Sequence, residues 1–235
     1  MKLEESTVGE IVSDNYHWAS VFRQYGIDFC CGGGISLAEA CKKNGVDPDE
    51  LIEQLKSAPW VNRSSGDNYN DWTPDFLVDY IINTHHTFVR KKTDEVSAYA
   101  AKVAKVHGER HPENIEIFKK FVTLSNELIE HLNEEETRVF PLIKTIYKKR
   151  QNGEVPADEE IEALKIELER MEKDHEKAGA LMAEICELSN QFTTPQDACA
   201  TYTILYQNLS GFEEDLHKHV HLENNILFKK AEQLI

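Results

Sequence analysis

After residue 72 the chain offers four long helical runs and only three places to interrupt them. Thr73-Pro74-Asp75 is a cap-plus-proline helix start, and the first run extends to about Val106. His107–Pro112 contains a glycine and a proline and ends it. The second run covers about Glu113 to Arg150, with Pro141 as a candidate bend. Asn152-Gly153 and Pro156 make the next turn, and the third run covers about Asp158 to Ser189. Thr194-Pro195 repeats the start signal, and the fourth run continues to the end. No strand pattern competes. At 1.5 Å per residue each helix is about 40–55 Å long. Short turns make consecutive helices antiparallel neighbours, so residues 73–235 are expected to form an up-down-up-down four-helix bundle in an all-α protein.

The first 58 residues read as a separate small helical domain. Helices are expected over Tyr16–Tyr25, over Ser36–Lys43, and from Asp47-Pro48, where an N-cap acid precedes a proline. So short a module has a marginal core and needs support from elsewhere. Residues 59–72 lie in a stretch rich in Ser, Asn, Asp, Gly and Pro and read as a linker.

The formal net charge of −16 argues against nucleic acid and anionic membrane surfaces as partners and suits a protein that attracts cations. The opening MKLEESTVGE is no signal peptide, and no stretch approaches the ~18 apolar residues of a membrane span. A cytoplasmic location follows as an expectation. In that reducing compartment the five cysteines (30, 31, 41, 186 and 199) are free thiols or ligands.

Ten histidines and 29 glutamates in 235 residues give about one His-x3-Glu pair by chance. Two such pairs, His131/Glu135 and His219/Glu223, are therefore weak evidence alone. The longer pattern is stronger: His131-x3-Glu135-x4-Phe140 on the second helix recurs as His219-x3-Glu223-x4-Phe228 on the fourth. A spacing of four puts each pair on one helix face. The first and third helices each offer one more imidazole, His85 or His86 and His175. On a 100° wheel the apolar face of the first helix centres near His85, with His86 toward its edge. Four imidazoles and two carboxylates at similar depth suit a pair of iron or manganese ions, because carboxylates can bridge two metals. One zinc ion, usually tetrahedral, would not use six donors. The plain alternative is surface histidines on charged helices.

Residues 28–34 read Asp-Phe-Cys-Cys-Gly-Gly-Gly. Consecutive Cα atoms are about 3.8 Å apart, short of the ~4.4–6.8 Å that a disulfide usually spans. The pair is expected to act outward, on a metal, a partner thiol or a small molecule. The glycines allow a tight turn, and the helix that follows from about Ser36 is expected to lower a thiol pKa from its N-terminal end.

The Asp-Phe-Cys-Cys-Gly-Gly motif ahead of a bundle with His-Leu-Glu-Asn-Asn at 221–225 resembles the RIC (repair of iron centres) family over essentially the whole chain. The resemblance implies a hemerythrin-like bundle holding two non-haem iron ions in an oxo- or hydroxo-bridged centre. His86, His131, Glu135, His175, His219 and Glu223 would be the ligands, the carboxylates bridging. It favours His86 over His85, where the family often has an aromatic. It implies repair of iron–sulfur clusters damaged by nitrosative or oxidative stress, with damaged iron–sulfur proteins as partners, NO or O2 as small ligands, and a homodimer. NO reduction is an enzymatic expectation, since coupling two NO to N2O takes two electrons that a diferrous pair can provide. Cys30 and Cys31 would be a mobile thiol head that receives or passes iron, NO or electrons, and Cys41, ten residues on, a third thiol able to join them. The competing reading is a hemerythrin-like O2 or NO sensor or an iron store.

Overall fold

The computed structural model describes residues 3–58 and 68–235, and among them the regular structure is all helical. Most of the expected linker, residues 59–67, lies outside the described residues. The helices are α1 (Val8–Asp14), α2 (Ala19–Gln24), α3 (Leu37–Asn44), α4 (Pro48–Ser57), α5 (Pro74–Ile81), α6 (Thr87–His107), α7 (Glu113–Glu134), α8 (Phe140–Gln151), α9 (Asp158–Leu188), α10 (Ala200–Leu222) and α11 (Phe228–Glu232). No helix among the described residues is long and apolar enough to cross a membrane.

The residues group into two compact units. The larger comprises Asp79–Thr145 and Ala157–His217. Within it α6 packs on α7 and α7 on α9, and the Phe121 ring of α7 meets Phe212 of α10 edge-on with centroids 5.2 Å apart. Buried residues recur at spacings of three and four along each helix: Val89, Thr93, Val96, Ala100 and Val103 on α6; Ile117, Phe121, Leu124 and Leu128 on α7; Leu164, Leu168, Met171, His175, Ala178, Met182 and Ile185 on α9. That repeat keeps one stripe of each helix turned inward.

The smaller unit comprises Met1–Val78, Ile146–Pro156 and Lys218–Ile235. The chain's last 18 residues thus belong with its first 78, and the marginal N-terminal core finds its support there. α1, absent from the sequence expectation, was legible as a capping box: Thr7 Oγ1 accepts from the Glu10 N–H while Glu10 returns a carboxylate to the Thr7 N–H. Ser36 and Glu39 open α3 the same way, and Gly45 closes it at φ +67°. α1 packs against Glu223–Leu227 in the C-terminal stretch.

Two differences from expectation have physical causes. The fourth helix begins at Ala200 rather than at Thr194-Pro195. Pro195 opens only a tight turn, closed by the Ala198 N–H on its carbonyl, after three left-handed residues, Asn190, Gln191 and Phe192. The bend expected at Pro141 is instead a π-turn at Glu135–Val139, in which the Phe140 N–H bonds the Glu135 carbonyl. Pro141, with no N–H, then starts a fresh α segment without loss. The tight turn expected at the three glycines is made without a left-handed residue: none of them has a positive φ. Gly33 is there for close approach. Its carbonyl accepts from the Gly9 N–H at 2.8 Å, and a Cβ on it would lie 2.6 Å from the Phe29 carbonyl oxygen. A Cβ on Gly34 would meet nothing within 4 Å.

Gly33→Ala is therefore expected to destabilise the fold by about 1–3 kcal/mol, as overpacking does. Gly34→Ala should stay within about 0.5 kcal/mol of the parent. Denaturant unfolding of the two variants checks the contrast.

Candidate metal centre

Each inward stripe includes polar residues that keep its spacing. Reading back along α6 from Val103, Ala100, Val96, Thr93 and Val89, the next position is His86, 1 % exposed. Forward on α7 from Leu124 and Leu128 come His131 and then Glu135, the latter wholly buried. On α9, His175 sits between Met171 and Ala178. On α10 the series Tyr202, Leu205, Leu209, Phe212 and Leu216 continues to His219 and Glu223. A polar residue in such a stripe must be satisfied by something other than water.

Three of the four chain segments also widen into a π-turn at that point: Ile82–His86, Glu135–Val139 and Glu223–Leu227. The N–H groups of Thr87, Phe140 and Phe228 reach back five residues, to Ile82, Glu135 and Glu223. Such turns mark functional sites often. The first explains why a uniform wheel favoured His85. Val78 and Ile81 precede the π-turn and Val89 and Val103 follow it, so their phases cannot be averaged. Both histidines are buried, but they turn to different partners. His85 Nδ1 lies 2.9 Å from Asp215 Oδ1. His86 Nδ1 lies 2.8 Å from Glu136 Oε1, leaving Nε2 3.4 Å from Glu135 Oε2.

Within the larger unit three imidazoles face one carboxylate. His131 Nε2 is 3.3 Å and His175 Nε2 3.8 Å from Glu135 Oε1, and the two Nε2 atoms lie 2.9 Å apart. Two ring nitrogens aimed at one point beside a buried carboxylate are a donor set for a cation, and imidazole with carboxylate suits iron. The neighbouring acids are engaged elsewhere: Glu134 with Arg170, and Glu167 with Arg138 and Arg170. Glu136 backs His86. Burial alone would raise its pKa, but hydrogen bonds from His86 and Arg90 outweigh that and hold it below the usual carboxylate value. A carboxylate behind a ligating imidazole fixes the ring and its tautomer. In the smaller unit His219 Nε2 and Glu223 Oε1 are 3.0 Å apart. A cavity of about 270 Å³, with Glu127, Glu130, Glu134, Asp174, Arg170 and Lys177 in its walls, reaches His131 and His175.

Two family models match this chain. Residues 4–59 match the model of a domain of unknown function (DUF542, ScdA_N), and residues 77–231 match the hemerythrin HHE cation binding domain. The iron-sulfur cluster repair protein ScdA of Staphylococcus haemolyticus is 36 % identical over 231 residues, 98 % of this chain and 99 % of that one. The chain belongs to the iron-sulfur cluster repair protein family. A probable iron-sulfur cluster repair protein of Haemophilus influenzae is 32 % identical, covering 90 % of this chain and 89 % of its own. The iron-sulfur cluster repair protein YtfE of Salmonella newport is 29 % identical over 98 % of both.

The thiol turn differs from the expectation that the following helix lowers a thiol pKa. Cys30 is buried and its thiol is held well above the ordinary pKa, first by its hydrogen bond to Cys31, then by burial and the adjacent charges. Asp28 Oδ1 accepts from the N–H groups of Cys30 and Cys31 at 2.8 and 3.1 Å, and Oδ2 from Gly32 at 2.9 Å. These bonds hold the turn, and with Asp28 beside it the thiol feels negative charge. Cys41 is buried in α3 and is not a member of the Asp28, Cys30 and Cys31 cluster. Sequence reasoning missed Asn225, whose Nδ2 donates to the Cys30 carbonyl at 3.0 Å. It also missed His221, buried between Tyr16 and Phe29 and contacting Ser13. Burial lowers the His221 pKa to about 4, so the ring is neutral, although its contact with the Phe29 backbone acts the other way. The other two histidines of note, His107 and His111, contact Cys199 and Asp197.

Glu136→Ala should weaken metal binding about ten- to hundredfold, the usual cost of removing a partner behind a ligand. Glu116→Ala, where the acid pairs with Lys119 on the surface of α7, should leave it unchanged. Competition with a chelator of known affinity measures both.

Proposed function

We propose that this protein repairs iron–sulfur clusters through a di-iron centre held by His86, His131, His175, His219, Glu135 and Glu223. The observation that carries the reading is the wholly buried Glu135 carboxylate with three imidazole nitrogens turned to it. The His219–Glu223 pair supports a second half-site, because it repeats the His131–Glu135 spacing and its π-turn. The curated relatives are named for cluster repair, and their length is matched almost in full.

Bound iron would supply electrons and open coordination positions for NO or O2. The chain's own residues do the rest. Glu135 and Glu223 supply negative charge in a dry interior, where it offsets charge on the cations. Glu136 holds the His86 ring so that Nε2 faces inward. The acid-lined cavity at His131 and His175 supports passage of a cation or a small ligand. Cys30 and Cys31 are the thiol head of this reading, passing iron, NO or electrons to the damaged client. A cytoplasmic homodimer is the setting in which we expect it to work.

The test is to load the protein anaerobically with ferrous iron, count iron per chain, and assay reactivation of a nitrosatively damaged cluster enzyme. About two irons and full reactivation are expected for the parent. His131→Ala and Glu223→Ala should lose iron and reactivate little. Undiminished reactivation by both variants contradicts the reading, and reversible O2 binding with no repair favours a sensor or carrier instead.

A further inference from the structure

Adjacent residues in a turn normally send their side chains apart. Cys30 and Cys31 do not: their sulfurs lie 4.0 Å from each other. Cys30 Sγ also lies 3.2 Å from Asp28 Oδ1, and one donor atom from each of the three residues fits within a 4.8 Å cluster. Two thiolates bound at ~2.3 Å to one tetrahedral ion are about 3.8 Å apart, and a sulfur–oxygen edge is about 3.5 Å. The turn is already close to those spacings.

The arrangement is also fixed in advance. Three backbone N–H groups hold the Asp28 carboxylate in place. From the other side Asn225 Nδ2 holds the Cys30 and Phe29 carbonyls at 3.0 and 3.4 Å, and Gly33 is packed against Gly9 and Asn225. These contacts account for the shape of the turn. They leave unexplained why both thiols face one point. Cys30 is buried, while Cys31 is partly exposed and Asp28 exposed, so the point is covered on one side and reachable on the other.

We propose that Asp28, Cys30 and Cys31 form a second cation site, distinct from the His/Glu set, for one borderline or soft ion such as Zn2+ or Fe2+. The ion is held by two thiolates and a carboxylate oxygen, with its remaining position open to solvent or to an incoming donor. Binding displaces the two thiol protons to solvent, and no redox step is required. The site rests on the turn alone. It gives the thiol head of the repair reading a chemical role, that of holding a cation in transit, and each can fail without the other.

The probe is Co2+ added anaerobically to the reduced full-length protein. A near-ultraviolet thiolate-to-cobalt charge-transfer band is expected, saturating at one ion per chain. It should persist in His131→Ala, which weakens the His/Glu set, and in Cys41→Ser and Cys186→Ser. It should be lost in Cys30→Ser and in Cys31→Ser; the latter is a conservative change at a partly exposed position. Asp28→Asn keeps an oxygen for the backbone donors and should weaken cobalt binding about ten- to hundredfold. No thiolate band in the parent at excess cobalt would overturn the proposal, as would a band that survives both cysteine substitutions.

Discussion

A carboxylate with no exposed surface, Glu135, sets the terms for the rest of this molecule. Removing a carboxylate from water costs several kcal/mol unless charge or donors meet it. Here the imidazoles of His86, His131 and His175 turn to it. The arginines that could have neutralised it are engaged by Glu134, Glu136 and Glu167. A bound cation would resolve the conflict, because one ion satisfies a carboxylate and imidazoles together. The stripes of α6, α7 and α9 close the core and also bring their imidazoles to one carboxylate.

The π-turns serve the same placement. Each adds a residue to a helical turn where a donor must point inward, and the 3-4 spacing resumes beyond it. His86 heads the α6 stripe for this reason, and Glu135 and Glu223 each lie at the first residue of a widened turn. Helix geometry is interrupted at the site and regular away from it.

Much of this was legible in the residues. The four runs, the repeated His-x3-Glu-x4-Phe and the polar breaks pointed to the bundle and to its buried histidines and glutamates. The choice between His85 and His86 was not, since a wheel with a constant angle cannot see a π-turn. Pairings across helices were equally invisible: nothing in the sequence joins His86 to Glu136 or Asp28 to three backbone donors. Reading the stripes from their apolar residues outward would have picked His86, because it continues the spacing from Val103 through Val89. The glycines were legible as a turn but not as a contact: Gly33 has Asn225, some 190 residues away in the chain, as one of its neighbours. That contact also brings the thiol turn and the C-terminal stretch bearing His219 and Glu223 into one compact unit.

The most direct test of the central claim is a crystal structure of the iron-loaded protein with anomalous scattering recorded at the iron edge. Two peaks are expected, each bonded to imidazole nitrogens from among His86, His131, His175 and His219, with Glu135 and Glu223 shared between them. A single peak, or two peaks that leave Glu135 without a metal bond, would contradict the account.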